Sequence, residues 1–462
     1  MSAITPEPPA AAFARLRAAD ERAGGLPLEE RDALLLALDR RLVARADAFV
    51  AALDADFGGR SAEETLLAEV LSGANAARHA RRNLRRWARP RRVGVDLPFW
   101  PTRARIVPQP LGVVGVLSPW NYPVHLSLSP IVGAIAAGNR VMLKPSELTP
   151  RTAAELAGLL DEALGPDVAQ VVQGGPEVAA AFARLPFDHL LFTGSSERGR
   201  EVMRAAAENL TPVTLELGGK CPAVILPDAD LGRAARAIVL GKALNAGQTC
   251  VAPDTVLLAG VKVGPVREAL RRAYAETYPG GRLPTALISD RHRSRVEALA
   301  AGTPLEPLGP AAAEDDWQGR GLSLAIDPAP DSPLHAEEVF GPVLPLQHFD
   351  GLAAAIAWIR ARPAPLAVYL FTRDRRAEAE ILASTRAGAL VVNGTVVQAA
   401  IEALPFGGVG ASGFGRYHGR AGFDTFSNLR AYVRAAPFNL ARLCDPPYGE
   451  RKRQLIGRLL GG

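Results

Sequence analysis

The sequence predicts an α/β protein built on mostly parallel sheets, and three observations carry this. Short apolar runs of strand length recur along the chain, separated by segments whose apolar residues fall at helical spacing. Glycine and proline punctuate the ends of those runs, where the chain must turn. A chain of 462 residues with 48% hydrophobic content can bury more than one sizeable core, so two or three domains are expected.

The elements follow in order. The opening "MSAITPEPPAAAFARLRAADERAGG" lacks the apolar core of a signal peptide, and Glu7, Asp20 and Glu21 come too early for a transit peptide. From Leu28 to about Phe57, apolar residues at helical spacing among many charges predict two surface-packed helices. "RHARRNLRRWARPRR" (78–92) is basic enough to raise nucleic acid or an acidic membrane as a partner. Leu84 and Trp87 are spaced for one helix face, and no aromatic platform is interleaved with the arginines, so a solvated helix face is preferred and no nucleic-acid partner is expected. The Pro-rich segment 89–110 predicts a projecting strand pair.

Beyond it the alternation begins. "LGVVGVLSP" is a buried strand, "VHLSLSPIVGAIAAG" a helix and "NRVMLKPS" a second buried strand, which together make one βαβ unit. Helix "TAAELAGLLDEAL", strand "VAQVVQGG", helix "EVAAAFARL", strand "DHLLFTG", helix "SERGREVMRAAAENL" and strand "PVTLELGG" continue it. A parallel sheet places its ligands at the carboxyl ends of the strands. After Gly219 a second α/β stretch runs from "PAVILPDAD" to "GALVVNG", and residues 311–333, rich in Ala, Pro, Asp and Gly, are expected to be a loop within it. The tail "ERKRQLIGRLLGG" is expected to be a frayed terminal helix.

The composition narrows the function classes. Three cysteines, 221, 250 and 444, fit neither a disulfide framework nor paired zinc ligands, which points to a reducing cytoplasm. No stretch approaches the roughly 18 apolar residues of a membrane span. The histidines form no HxxH or HxxE pattern, so no metal site is predicted.

Four constellations carry chemistry. In "FTGSSERG", a strand ends at Thr193, Gly194 allows the turn, Ser195 opens a helix and Gly199 lets that helix pack closely. A helix N-terminus of this kind suits a pyrophosphate, although a Gly-Ser cap between strand and helix is also common. In "LKPSE", Lys144 and Glu147 follow a strand, where the ammonium can donate to ribose hydroxyls or phosphate and the carboxylate can accept from a ribose diol. Only five of the 53 basic residues are lysine, so Lys144 and Lys220 inside such stretches suggest that a compact ammonium is needed. The alternative is a pair of solvated charges.

Glu216 in "TLELGGK" interrupts an apolar strand end, a costly place for a carboxylate unless it is used, and Cys250 lies in the Gly-containing loop "NAGQTCV". A base near a thiol can activate water against a thioester. In "SPWNYP", Asn121 stands between two prolines, stiffly held, where its amide can donate to an oxyanion together with a backbone N–H at the cysteine; its ordinary reading is a turn residue. "EEVFGPV" adds Glu338 as an acceptor for a second sugar and Phe340 as an apolar wall.

Taken in order, "SPWNYP", "AAGNRVMLKPSELTP", "FTGSSERG", "TLELGGKCP", "NAGQTCVAP", "EEVFGPV" and "LPFGGVGASGFGRYHGRAGFDTFS" resemble the aldehyde dehydrogenase superfamily, and its class 3 and coniferyl-aldehyde branch in particular. The resemblance implies Cys250 as nucleophile, Glu216 as general base and Asn121 as side-chain donor of the oxyanion hole. It implies a cofactor site in which Lys144 and Glu147 hold the adenosine ribose, Gly194 and Ser195 meet the pyrophosphate, and Glu338 holds the nicotinamide ribose. Trp120 and Phe340 would line the nicotinamide end, with Gly199 and Leu217 in the same site. It further implies a Rossmann-like NAD(P)-binding domain (1–90 and 108–217), a catalytic α/β domain (218–398) and a small β oligomerisation arm (91–107 and 423–437). The expected function is oxidation of an aromatic or medium- to long-chain aldehyde to the acid, with NAD as cofactor and NADP as the alternative, in a cytoplasmic homodimer. Cys221 stands where the family often has Ser, and Gly394 where the branch often has Asp. The rivals are a coenzyme A-acylating dehydrogenase, against which Glu216 argues, and a non-catalytic protein that retains the fold.

Overall fold

The computed structural model describes residues 8–310 and 321–460, arranged around three sheets. The first sheet has six strands. Val113–Leu117 lies inside it, with Arg140–Lys144 and then Ala169–Val171 on one side, and His189–Gly194 and then Val213–Leu217 on the other, all parallel. Val113–Leu117 and Arg140–Lys144 are buried at every residue, as parallel strands covered on both faces must be. The chain winds outward in one direction from Val113–Leu117 and then returns to build in the other. The carboxyl ends of Val113–Leu117 and His189–Gly194 therefore flank a topological switch point, where a crevice for a ligand opens. Helix His125–Ala137, buried throughout, follows the first of these strands and stops at Gly138, whose φ of 98° is left-handed.

The second sheet has seven strands in the order Leu305–Pro307, Ser323–Ile326, Val343–Phe349, Thr255–Ala259, Pro222–Ile225, Ala367–Phe371 and Ala389–Val392, parallel except for the first pair. Ser323–Ile326 corrects the expected loop at 311–333. "SLAI" is a four-residue, mostly apolar run that pairs with two strands, its signal diluted by the Gly, Asp and Pro on either side; residues 311–320 lie outside the described residues. The third sheet is antiparallel and joins Arg91–Val93, Arg103–Pro110 and Ser427–Arg434. Residues 423–425 still belong to helix Gly419–Thr425, so the strand begins only at Ser427.

The basic run lies in helix Ser72–Ala88, which buries Leu84 and Trp87 and pairs Arg78 with Asp39 and Arg81 with Asp32. Trp87 packs against Phe423 with ring centroids 5.8 Å apart, tying the amino-terminal helices to the returning carboxyl-terminal segment. That segment also adds Gly413–Phe414 antiparallel to the first sheet, with Gly413 opposite Glu216. No helix among the described residues is long and apolar enough to cross a membrane.

Candidate active site

Cys250 is reached from two sides. A cavity of about 250 Å³ is lined by Leu67, Tyr122, Leu126, Val251, Val396 and Phe406 among others, and is mainly apolar. A second, of about 230 Å³, is lined by Trp120, Asn121, Thr193, Gly194, Ser195, Glu216, Gly218, His292, Arg295, Glu338 and Phe340. Cys250 and Leu126 line both. The thiol thus stands where an apolar channel meets a polar crevice, the crevice opening at the switch point of the first sheet.

The loop that carries Cys250 gets its shape from its backbone. Asn245, Ala246 and Gly247 take left-handed φ of 51°, 54° and 78°. At Gly247 a Cβ would come 2.4 Å from the Gly341 carbonyl oxygen, so only glycine fits. Strain of this kind persists where surrounding contacts over-determine it. Gln248 supplies them: its amide donates to the Asn245 and Ala286 carbonyls at 2.9 and 3.0 Å and accepts from the Ile288 N–H at 2.9 Å.

Glu216, next to last in the strand Val213–Leu217, is a buried carboxyl whose Oε1 has no hydrogen-bond partner among the described residues. Burial pushes its pKa from an ordinary 4.5 up to about 8, and the hydrogen bond from the Cys250 thiol partly offsets the rise. The Cys250 thiol is itself pushed well above its usual range, by burial first and then by repulsion from Glu216 and Glu338. Both groups hold their protons at neutral pH, so Cys250 becomes a thiolate only when something cationic enters or a base takes its proton. Asn121 Nδ2 donates to the Gln248 carbonyl at 3.1 Å, which leaves its second N–H free to donate into the crevice.

The crevice suits the nicotinamide half of a dinucleotide. Its walls are Trp120, His292 and Phe340, edge-on with centroids 5.3 to 5.9 Å apart. Phe340 is held at a left-handed φ of 49°, and its carbonyl meets His292 Nε2 at 2.7 Å. Arg295 donates to the Glu338 and Val339 carbonyls, so this segment is pinned at each residue. A Cβ on Gly218 would lie 2.0 Å from Glu338 Oε2, which shows how closely that carboxylate crosses the backbone. Ser195 caps helix Ser196–Ala207, accepting from the Arg198 N–H, and the positive end of that helix faces the cavity wall it shares with Gly194. Gly199 has no room for a Cβ, because Leu217 Cδ2 would be 2.7 Å away.

Lys144 and Glu147 lie apart from this cavity, at the carboxyl end of Arg140–Lys144. They pair with each other at 3.1 Å, the lysine buried and the glutamate 43% exposed. Lys220 is engaged with Asp254 and the Glu337 carbonyl, joining loops of the second α/β region, so its ammonium has a structural task. Sequence reasoning missed several neighbours. Lys242 is buried, its Nζ has no hydrogen-bond partner among the described residues, and desolvation lowers its pKa to about 8. His125 and His418 line the apolar cavity and burial keeps both neutral. Buried Arg60 and Glu69 contact the segment 121–125, and half-buried Glu64 contacts Asn245 in the loop before Cys250. The signal for these was charge in or beside helical segments, which ordinarily marks a solvated face.

Residues 1–432 match the sequence profile of the aldehyde dehydrogenase family. A probable coniferyl aldehyde dehydrogenase of Pseudomonas aeruginosa is 43% identical over 459 residues, 97% of this chain and 95% of that protein. Aldehyde dehydrogenase family 3 member A2 of Rattus norvegicus is 38% identical, over 90% of this chain and 86% of its own. Among solved structures, the substrate-bound state of Staphylococcus aureus AldH superimposes with a TM-score of 0.90 at 33% identity, covering 98% of this chain and 99% of that one. The NAD+ complex of an aldehyde dehydrogenase from Bacillus cereus gives 0.81 at 26% identity, covering 92% and 88%. With a partly buried thiol and a buried carboxyl in hydrogen-bond contact at the junction of two cavities, the chain belongs to the aldehyde dehydrogenase family and is an NAD(P)-dependent oxidoreductase of aldehydes.

Proposed function

We propose that the protein oxidises aromatic or medium- to long-chain aldehydes, coniferyl aldehyde among them, to carboxylic acids through a thioester on Cys250. The observation that carries this reading is the position of Cys250 between the two cavities, with Glu216 in contact. The relatives named for coniferyl aldehyde support the substrate class, and the apolar lining of the 250 Å³ cavity suits a flat or extended hydrocarbon.

Cys250 gives up its proton to solvent, and its Sγ attacks the aldehyde carbon as thiolate. The Asn121 amide and the Cys250 N–H donate to the oxygen as it becomes an alkoxide. When bound, the oxidised nicotinamide supplies the hydride acceptor and a cationic ring. Collapse of the alkoxide leaves an acyl group on Cys250. Glu216, as carboxylate, then takes a proton from water, the water attacks the thioester, and the acid leaves with Cys250 as the departing thiol.

Trp120, Phe340 and Glu338 would hold the nicotinamide ribose and ring, with Gly194, Ser195, Gly199 and Leu217 shaping the pyrophosphate turn and Lys144 and Glu147 the adenosine ribose. Glu147 favours NAD, because its carboxylate would repel a 2′-phosphate; Arg198, within electrostatic reach of Glu147, keeps NADP as the alternative. The cofactor domain spans 1–90 and 108–217, the catalytic domain 218–398, and the arm 91–107 and 423–437. The arm exposes Trp100, Tyr432 and Val433, and Ser427–Arg434 forms an edge of its sheet, which supports a homodimer joined there. We place the protein in the cytoplasm.

The test is reduction of NAD and NADP with a panel of aromatic and aliphatic aldehydes, without coenzyme A, beside Cys250→Ala. Turnover that vanishes in the variant supports the thiol route. A folded parent that turns over only when coenzyme A is added, or not at all, overturns the hydrolytic reading.

A further inference from the structure

Arg60 and Glu69 have fully buried side chains joined by an ion pair, Arg60 Nη2 to Glu69 Oε1 at 3.0 Å. Neither takes part in the chemistry above. Burying two charges is costly even when they are paired, and well-packed apolar residues often serve stability as well, so the pair's other contacts show what it is for.

Those contacts converge on one loop. Glu69 Oε2 accepts from the backbone N–H groups of Val124 and His125, at 2.9 and 2.8 Å, where helix His125–Ala137 begins. Arg60 Nη1 donates to the backbone carbonyl of Asn121 at 3.0 Å. The same carbonyl accepts from Asn245 Nδ2 at 2.9 Å. The guanidinium lies over the rings of Phe57 and Tyr122, 4.6 and 5.3 Å from their centroids. The Tyr122 hydroxyl in turn meets Thr249 Oγ1 at 2.8 Å, one residue before Cys250. Residues 121–125 are therefore gripped by the ion pair on one side and by the nucleophile loop on the other. Among the described residues the Asn121 side chain hydrogen-bonds to the Gln248 carbonyl; its direction otherwise follows from the backbone that Arg60 holds.

We infer that Arg60 and Glu69 are positioning residues for the oxidation, holding the Asn121 backbone so that its amide stands ready beside Cys250 before the aldehyde arrives. The inference rests on Asn121 being the oxyanion donor. Arginine suits the task because one planar fork can reach Glu69 and Asn121 at once while stacked between two rings; lysine has a single ammonium and cannot.

The experiment is a double-mutant cycle on the full-length protein with Arg60→Lys and Asn121→Ala, read by kcat, KM for the aldehyde, the rate of the first-turnover burst of reduced cofactor, and thermal midpoint. Asn121→Ala alone is expected to slow the burst about a hundredfold. Arg60→Lys in the parent is expected to lower kcat and burst rate about tenfold with KM near the parent value, since misplacement of a donor acts on the transition state. In the Asn121→Ala background the same substitution should cost less than about twofold, because the group it positions is gone. Should Arg60→Lys fail to accumulate as folded protein, Glu69→Gln enters the same cycle with the same expectations. An equal loss in both backgrounds, or a folded variant with the parent's burst rate, overturns the positioning role while leaving the oxyanion reading intact. An Asn121→Ala protein as fast as the parent overturns the oxyanion reading and this inference with it.

Discussion

Replacing Glu216 by glutamine is expected to stabilise the protein at alkaline pH while nearly abolishing turnover. The carboxyl is 1% exposed, and burial raises its pKa from 4.5 to about 8. Between those values the folded protein keeps a proton that the unfolded chain releases, so stability falls as pH climbs from 4.5 to about 8 and levels off above that. At 1.36 kcal/mol for each tenfold, the loss is on the order of 5 kcal/mol. Glutamine does not titrate. Glu216→Gln and the parent should therefore unfold alike near pH 5, and the variant should gain on the parent as pH rises, by up to that amount at pH 8.5. Urea unfolding at the two pH values measures it. Activity moves the other way. In the parent, the carboxylate fraction of Glu216 goes from about a tenth at pH 7 to about nine tenths at pH 9, so kcat should rise about tenfold over that range. The variant should lose about 10² to 10⁴ in kcat, without that rise, and still give a burst of reduced cofactor approaching one per Cys250, since the acyl group forms but is not hydrolysed. A stability gap that does not widen with pH, or a parent profile flat between pH 7 and 9, would refute the assignment of a buried, proton-holding base.

Two other substitutions test the cofactor crevice and the arm. Gly218→Ala places a methyl group 2.0 Å from Glu338 Oε2 and should displace that carboxylate, weakening NAD about tenfold or more by isothermal titration, with the thermal midpoint of the cofactor-free protein little changed. Val433→Arg puts a charge on the exposed strand of the arm, where Val433 is 62% exposed, and should shift the protein from dimer to monomer in sedimentation velocity; an unchanged mass would remove the arm from the assembly.

How much of this was visible in the chain depends on how local each signal is. Strands such as Val113–Leu117 and Arg140–Lys144 were legible because a parallel strand buried on both faces must be an unbroken apolar run. Helix Ser196–Ala207 was legible because its cap and turn, Gly194 and Ser195, are adjacent in sequence. Ser323–Ile326 escaped because its partners, not its own four residues, make it a strand. Arg60 and Glu69 escaped for a related reason: a charge in a helix, or in the short loop before one, looks solvated until another layer covers it, and the cover here comes from residues 121–125.

The amino-acid sequence by itself determined the alternation of strands and helices, the places where the backbone turns, and the residue types available for thiol chemistry, because periodicity, glycine and proline act over a few residues. Tertiary structure alone decided that Glu216, on one sheet, touches Cys250, on a loop leading into another. It also decided that both are buried deeply enough to hold their protons at neutral pH, and that a clamp from the amino-terminal helices grips the loop of Asn121. Desolvation and long-range contact depend on what the rest of the chain places around a group, and no local pattern carries that information.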